Sequence, residues 1–320
     1  MVAALRVVFF GTPQFAVPSL EALLASPHVV CGVVTQPDRP RGRGNKVTEG
    51  PVKALALRHA LPIAQPSTLR DTAIDATLSG WAPDLGVVVA YGQLIPQRLL
   101  AGPRLGLINV HASLLPQYRG AAPIHRAVMN GDTMTGVTIM RVAPRLDAGA
   151  MFATATRPIA PHETSEAVEH DLSHLGARLL LEVVGALAAG TAIETPQDDA
   201  RATYAHKLTK AEGEIDWTLP ATTLHNRVRG LQPWPHASTH VKGARVLVLE
   251  SVPVTLQTPA PPGTVVHAGP DAVHVAAGEA AGEGTALALL RIQPEGRRAM
   301  SARDFLAGTP LRVGQLLSAT

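Results

Sequence analysis

The first half of the chain alternates unbroken apolar runs with stretches of helical spacing. Leu5–Phe10, Val29–Thr35 and Leu85–Tyr91 carry almost no polar alternation, as strands do when a sheet is covered on both faces. Phe15–Ala25 places its apolar residues at helical spacing, and Pro51 suits the first position of a short helix through about His59. A further helix is expected before Leu85, and two more strands at Leu105–Ile108 and Gly136–Met140. After Thr164 a long helix is expected to about Ala189, with Val168, Leu172, Leu175, Leu179 and Val183 on one stripe and Gly190 ending it. This alternation predicts an α/β fold, a Rossmann-like doubly wound sheet whose ligands bind at the carboxyl ends of its strands.

The pattern changes twice. Residues 36–46 (QPDRPRGRGNK) are basic and rich in breakers, with neither helix nor strand periodicity. Residues 191–208 are polar and aperiodic, which marks a linker. Beyond Ala211, short apolar runs at Ala244–Leu249, Gly263–Val266, Ala272–Val275 and Ala286–Ile292 are separated by Gly and Pro clusters. That spacing predicts a small OB-like β-barrel with a helix near Ala221–Gly230. The expected organisation is a catalytic domain over 1–190, a linker over 191–208 and a barrel over 209–320.

Composition refines this picture. Hydrophobic residues make up 46% of the 320 and aromatics 3%, so the core is aliphatic. The single cysteine, Cys31, cannot form an internal disulfide, which fits a reducing compartment. No activating base adjoins it in sequence, so it reads as a small buried hydrophobe. The N-terminus runs directly into a strand without the pattern of a signal peptide, and no run of 18 apolar residues occurs, so no membrane span is expected. A cytoplasmic protein is expected, with monomer as the default. The pI near 9.3 hints at a polyanionic partner, yet the net charge is only +3. Any nucleic-acid contact must therefore come from local clusters, such as Arg39, Arg41, Arg43 and Lys46.

Several chemistries are absent. Gly11-Thr12-Pro13 follows the first strand where a dinucleotide fingerprint would sit, but G-x-G-x-x-G is missing. No Walker sequence and no G-x-S-x-G elbow occurs. His170-Asp171-Leu172-Ser173-His174 is similar to a zincin pair, yet both histidines fall opposite the apolar stripe and no third ligand is apparent, so no metal site is expected. What remains is Asn109 and His111 at the end of one strand and Asp147 past the end of another. Residues i and i+2 of a strand share a face, so an amide donor and a titratable ring converge with a carboxylate, the parts an acyl-transfer site needs.

Asn109-Val110-His111, Ser113-Leu114-Leu115-Pro116, Tyr118-Arg119-Gly120-Ala121-Ala122-Pro123 and Asp147-Ala148-Gly149 closely resemble the motifs of the 10-formyltetrahydrofolate-dependent formyltransferases. The likeness runs over almost the whole chain, from Phe10-Gly11-Thr12-Pro13 to Ala299-Met300-Ser301-Ala302. It implies 10-formyltetrahydrofolate as co-substrate and no metal. It implies that Asn109 and His111 donate to the oxyanion of a tetrahedral intermediate while Asp147 holds the imidazole, and that water or Asp147 takes the amine proton. The pterin pocket would be formed by Val89, Ala90, Tyr91, Gly92 and Ile95 together with Ser113, Leu114, Leu115 and Pro116. With the basic loop and the barrel, the resemblance also implies an initiator methionyl-tRNA as acceptor, contacted by Arg39, Arg41, Arg43 and Lys46 and by Lys210, Arg227 and Arg229. The rivals are a formyltransferase for a small amine and a non-catalytic folate- or RNA-binding module.

Overall fold

The computed structural model describes residues 3–41, 46–280 and 282–317, and of residues 39–41, 46 and 47 the backbone alone. Two compact units emerge. One comprises Met1–Pro123, Met134–Pro158 and Glu169–Ala205; the other comprises Ile124–Thr133, Ile159–Val168 and His206–Thr320.

Up to residue 205 the elements are β1 (Arg6–Gly11), α1 (Val17–Leu24), β2 (Val29–Val34), β3 (Arg39–Arg41), β4 (Lys46–Thr48), α2 (Pro51–Arg58), β5 (Ile63–Ala64), α3 (Ala73–Trp81), β6 (Leu85–Val89), α4 (Gln97–Leu100), β7 (Leu107–His111), β8 (Arg119–Gly120), α5 (Pro123–Asn130), β9 (Met134–Arg141), β10 (Met151–Pro158), α6 (Ser165–Ala189) and β11 (Tyr204–Ala205). The first unit is built on a seven-stranded sheet in the order β10-β9-β7-β6-β1-β2-β5. Strands β5, β2, β1, β6 and β7 run parallel, and β9 and β10 join antiparallel. The apolar runs sit in the parallel part: Val7, Val8, Phe9 and Phe10 of β1 and all five residues of β6 are buried. Burial on both faces is why these strands show no polar alternation.

The structure departs from the sequence expectation in three places. Residues 36–46 are not wholly irregular, because β3 and β4 pair antiparallel with Arg39 opposite Thr48 and Arg41 opposite Lys46. Three-residue strands are too short to show a period. Residues 191–205 are no free tether: Thr195 bridges to Met151, and β11 pairs parallel with β8. The strand expected to reach Tyr91 ends at Val89, since Ala90 and Gly92 take left-handed φ values of 47° and 82° and turn the chain out of the sheet. Helix α6 is, by length and composition alone, apolar enough to cross a membrane. Its Val168, Leu172, Leu180 and Val184 are buried, so core packing accounts for its composition.

The second unit contains α7 (Ala221–Gly230), β12 (Ala237–Val241), β13 (Ala244–Thr255), β14 (Val265–Ala268), β15 (Val273–Ala280), β16 (Glu283–Pro294), β17 (Met300–Ser301) and α8 (Ala302–Gly308). Its antiparallel sheet runs β12-β13-β16-β15-β14, with β17 added beside β16. Buried Val246, Val248, Val273, Val275, Leu287 and Leu289 form its aliphatic core. Strands β12 and β17 and helix α8 escape the hydrophobic pattern. α8 is set by its N-cap, where the Ser301 hydroxyl accepts from the Asp304 amide at 3.2 Å.

Candidate active site

Strand β7 is held on both sides. It pairs with β6 through Val88↔Asn109 and with β9 through Asn109↔Met140 and His111↔Thr138. Asn109 and His111 therefore lie on one face of a strand fixed by two ladders. Val110 points to the other face, where a Cβ on Gly176 of α6 would come within 2.8 Å of its methyl. Among the described residues the Asn109 carboxamide has no hydrogen-bond partner, and it is half-buried.

The His111 side chain is 6% exposed. Its Nε2 lies 2.9 Å from the Tyr118 carbonyl, and a carbonyl only accepts, so Nε2 carries the hydrogen. The other nitrogen, Nδ1, faces Asp147 Oδ2 at 3.8 Å, too long for a hydrogen bond. That carboxylate oxygen instead accepts from the Gly120 amide at 2.8 Å. Nδ1 is thus the one ring nitrogen left to meet a ligand or the carboxylate.

The Ser113–Pro116 turn is pinned from below. Thr138, fully buried on β9, donates from Oγ1 to the Ser113 carbonyl at 2.7 Å and accepts from the Leu115 amide at 3.2 Å. The Ser113 hydroxyl donates to the Gln117 carbonyl at 2.6 Å. Ser113 and Leu115 face inward, so Leu114, Pro116 and the main chain are what the turn presents. Val89 and Tyr91 also face inward, while Ala90 and Gly92 are exposed. Tyr91 packs edge-on against Phe10 with ring centroids 5.7 Å apart. Its buried hydroxyl has no partner among the described residues, and burial pushes its pKa up to about 12. The Tyr91 carbonyl accepts from the Gln36 side-chain amide at 2.8 Å. Ile95 is partly buried against the same aliphatic cluster.

Asp147 sits in the turn between β9 and β10 with a left-handed φ of 46°, a conformation that costs most residues about 1 kcal/mol or more and that Asp tolerates better than most. Two residues on, a Cβ on Gly149 would lie 1.8 Å from the Arg141 carbonyl, so only glycine fits. The turn is braced from the 191–205 segment. Gln197 donates from Nε2 to the carbonyls of Asp147, at 2.9 Å, and of Gly149, at 2.8 Å. Its Oε1 accepts from Arg119 Nε at 3.0 Å and Nη2 at 2.8 Å. Arg119 is 1% exposed and reaches Asp199 Oδ1 at 2.7 Å, and Asp199 Oδ2 takes Arg145 at 3.0 Å. These two guanidinium groups hold the Asp199 carboxyl below its ordinary range. Sequence reasoning missed Gln197 entirely. Arg119 stood inside a recognised motif but had no role assigned.

The residues expected to meet RNA separate into three groups. Arg43 lies outside the described residues, as do the side chains of Arg39, Arg41 and Lys46, whose backbones form β3 and β4. Lys210 is exposed. Arg229 and Arg227 do not fit. Arg229 is 5% exposed and binds the Glu163 carbonyl at 3.0 Å and Asn226 Oδ1 at 2.9 Å, while half-buried Arg227 binds the Glu212 carbonyl at 2.9 Å. Both guanidinium groups serve as internal ties. His170 and His174 meet edge-on with ring centroids 4.9 Å apart on an exposed face of α6, and no group of three metal-ligating side chains occurs among the described residues. Cys31 is buried, its Sγ donates to the Val7 carbonyl at 3.3 Å, and burial pushes its thiol up.

Residues 5–184 match the family model described as formyl transferase, and residues 207–310 match the formyl transferase C-terminal domain. The chain is 47% identical over 303 residues to the methionyl-tRNA formyltransferase of Methylococcus capsulatus, covering 94% of this chain and 96% of that one. It is 44% identical over 312 residues to the methionyl-tRNA formyltransferase of Trichlorobacter lovleyi, covering 98% and 96%. Among solved structures, an N-formyltransferase from Helicobacter canadensis in complex with folinic acid and dTDP-3-aminofucose superposes with a TM-score of 0.65 at 14% identity, over 89% of this chain and 99% of that one. With family models matching on both sides of residue 205 and nearly half its residues identical to those of full-length relatives, the chain belongs to the formyl transferase family.

Proposed function

We propose that the protein transfers the formyl group of 10-formyltetrahydrofolate to the methionine α-amine of initiator methionyl-tRNA. The observation that carries the chemistry is the unpartnered Asn109 carboxamide on the same strand face as His111, with Asp147 beyond the ring. The relatives' shared activity carries the acceptor.

In the reaction the amine nitrogen bonds to the formyl carbon, an oxyanion forms, and its collapse breaks the bond to the folate N10, which leaves with a proton. Asn109 donates its amide hydrogens where that charge develops. His111, fixed through Nε2, donates to the same oxygen from Nδ1 when the ring carries its second proton. Asp147 orients the ring from 3.8 Å and shares with water the role of accepting the amine proton. Ala90, Gly92, Leu114 and Pro116, with the main chain of Val89, Tyr91, Ser113 and Leu115 and the side chain of Ile95, shape the pterin pocket.

The catalytic domain is assigned to 1–190 and the RNA-binding domain to 209–320. Arg39, Arg41, Arg43, Lys46 and Lys210 contact the tRNA through phosphates and stacking. Arg227 and Arg229 are left out because both are tied inside the protein. The protein acts as a cytoplasmic monomer.

The test supplies 10-formyltetrahydrofolate with charged and uncharged tRNAs and follows formyl-methionine. Formylation of charged initiator tRNA alone is expected. Transfer to an amino sugar nucleotide with none to methionyl-tRNA would replace this reading with the small-amine one. Arg43→Ala should lower kcat/KM for charged tRNA about tenfold, a loss near 1.4 kcal/mol, and leave folate binding intact. An unchanged value would remove the loop from the interface.

A further inference from the structure

We propose that Gln197 is a positioning residue for the carboxylate of Asp147, acting from a segment whose sequence reads as a linker. The inference rests on the catalytic reading above and adds to it the group that sets the acid in place.

The orientation of the Gln197 amide is dictated by its neighbours. Arginine offers only donors, so Oε1 must face Arg119, and carbonyls only accept, so Nε2 must face Asp147 and Gly149. Both halves of the amide are therefore satisfied, in one arrangement. The two carbonyls it grips flank the peptide units that follow Asp147, the residue with φ of 46°. Releasing them frees the turn to relax, and the carboxylate then loses its place 2.8 Å from the Gly120 amide and 3.8 Å from His111 Nδ1.

The brace closes on itself. Adjacent residues of β8 reach Asp147 by two routes: the Gly120 amide binds its side chain directly, and the Arg119 guanidinium reaches its main chain through Gln197. Arg119 is paired with Tyr204 of β11, and its amide donates to the carbonyl of the preceding Thr203 at 2.8 Å. Asp199 extends the brace to Arg145, two residues before Asp147. A purely structural role for Gln197 would need only the Arg119 bond, since that bond neutralises a buried donor. Donation to the two carbonyls is the part that serves the active site.

Two variants separate these roles. Gln197→Glu keeps an acceptor for Arg119 and preserves the fold but presents no donor to the carbonyls, while Gln197→Met loses both. The expected result is a fall in kcat of about 10- to 100-fold in both variants, as for small misplacements of catalytic groups. KM for folate and tRNA should stay within about twofold, and the loss in Gln197→Glu should persist at temperatures where the protein is fully folded. In the same variants the His111 ring 15N shifts, assigned through His111→Gln, should move toward those of Asp147→Asn. Wild-type kcat in Gln197→Glu, or unmoved His111 shifts, would overturn the proposal. Should the wild-type protein formylate no methionyl-tRNA, the functional reading fails, yet the ring shifts still judge whether Gln197 positions Asp147.

Discussion

The two sides of the site are held by different means. Asn109 is paired on both sides of its strand and His111 with β9, by main-chain bonds that do not depend on the side chain. Asp147 stands on a turn between antiparallel strands, and what fixes it are the Gly120 amide and side chains from residues 119, 197 and 199. A ladder tolerates substitution at its neighbours. A turn held by a few side-chain bonds does not. The contrast predicts that mutations around β7 reach catalysis only by removing the functional group, whereas mutations around Asp147 reach it at a distance.

The largest effects should come from the functional groups on both sides. His111→Ala or Asp147→Ala is expected to lower turnover about 100-fold or more, with an unchanged far-ultraviolet spectrum. Folded variants that keep near-wild-type formyl transfer would end the catalytic assignment. Next, Gly149→Ala should cost about 3 kcal/mol in urea unfolding, because the added Cβ meets main chain rather than a flexible side chain. Its kcat should fall with it even in the folded fraction, and the same change at Gly80, where a Cβ meets nothing, should spare both.

The third contrast is with pH. The Asp199 carboxyl is held below its ordinary pKa near 4 by Arg119 and Arg145. A depressed carboxyl contributes stability above its unfolded pKa and loses it as pH falls through the folded value. The melting-temperature gap between wild type and Asp199→Asn should therefore be constant at neutral pH and close only below about pH 4. A gap that closes near pH 6 would point to a histidine instead. The smallest effect belongs to the strand side: Tyr91→Phe removes a buried hydroxyl with no partner, so stability should hold or rise slightly. Spectrophotometric titration should show the Tyr91 phenol ionising only near pH 12.

These differences also explain what could be read from the sequence. Strands β1, β2, β6 and β7 announce themselves because burial on both faces forces continuous apolar runs, and Asn109 and His111 stand out as polar residues at the end of one. Strand β10 is the sheet edge, half-exposed and threonine-rich, so its pattern is faint and the turn that carries Asp147 is seen from one side only. Gln197 gave no signal, because a polar residue among polar residues looks solvated until Arg119 is found buried opposite it. Arg227 and Arg229 misled for the converse reason: charge in a helix suggests a surface, and nothing in their spacing shows the carbonyls that receive them.

The pairing of β8 with β11 bears on where the catalytic half of the chain can end. A fragment stopped after α6 would hold the entire seven-stranded sheet and all of Asn109, His111 and Asp147. It would also leave the Arg119 guanidinium, 1% exposed in the intact chain, without Gln197 and Asp199. Such a fragment would assemble the candidate groups and lack the Gln197 bonds that hold the turn of Asp147. As the chain emerges in synthesis, the site is complete only once residue 205 has docked.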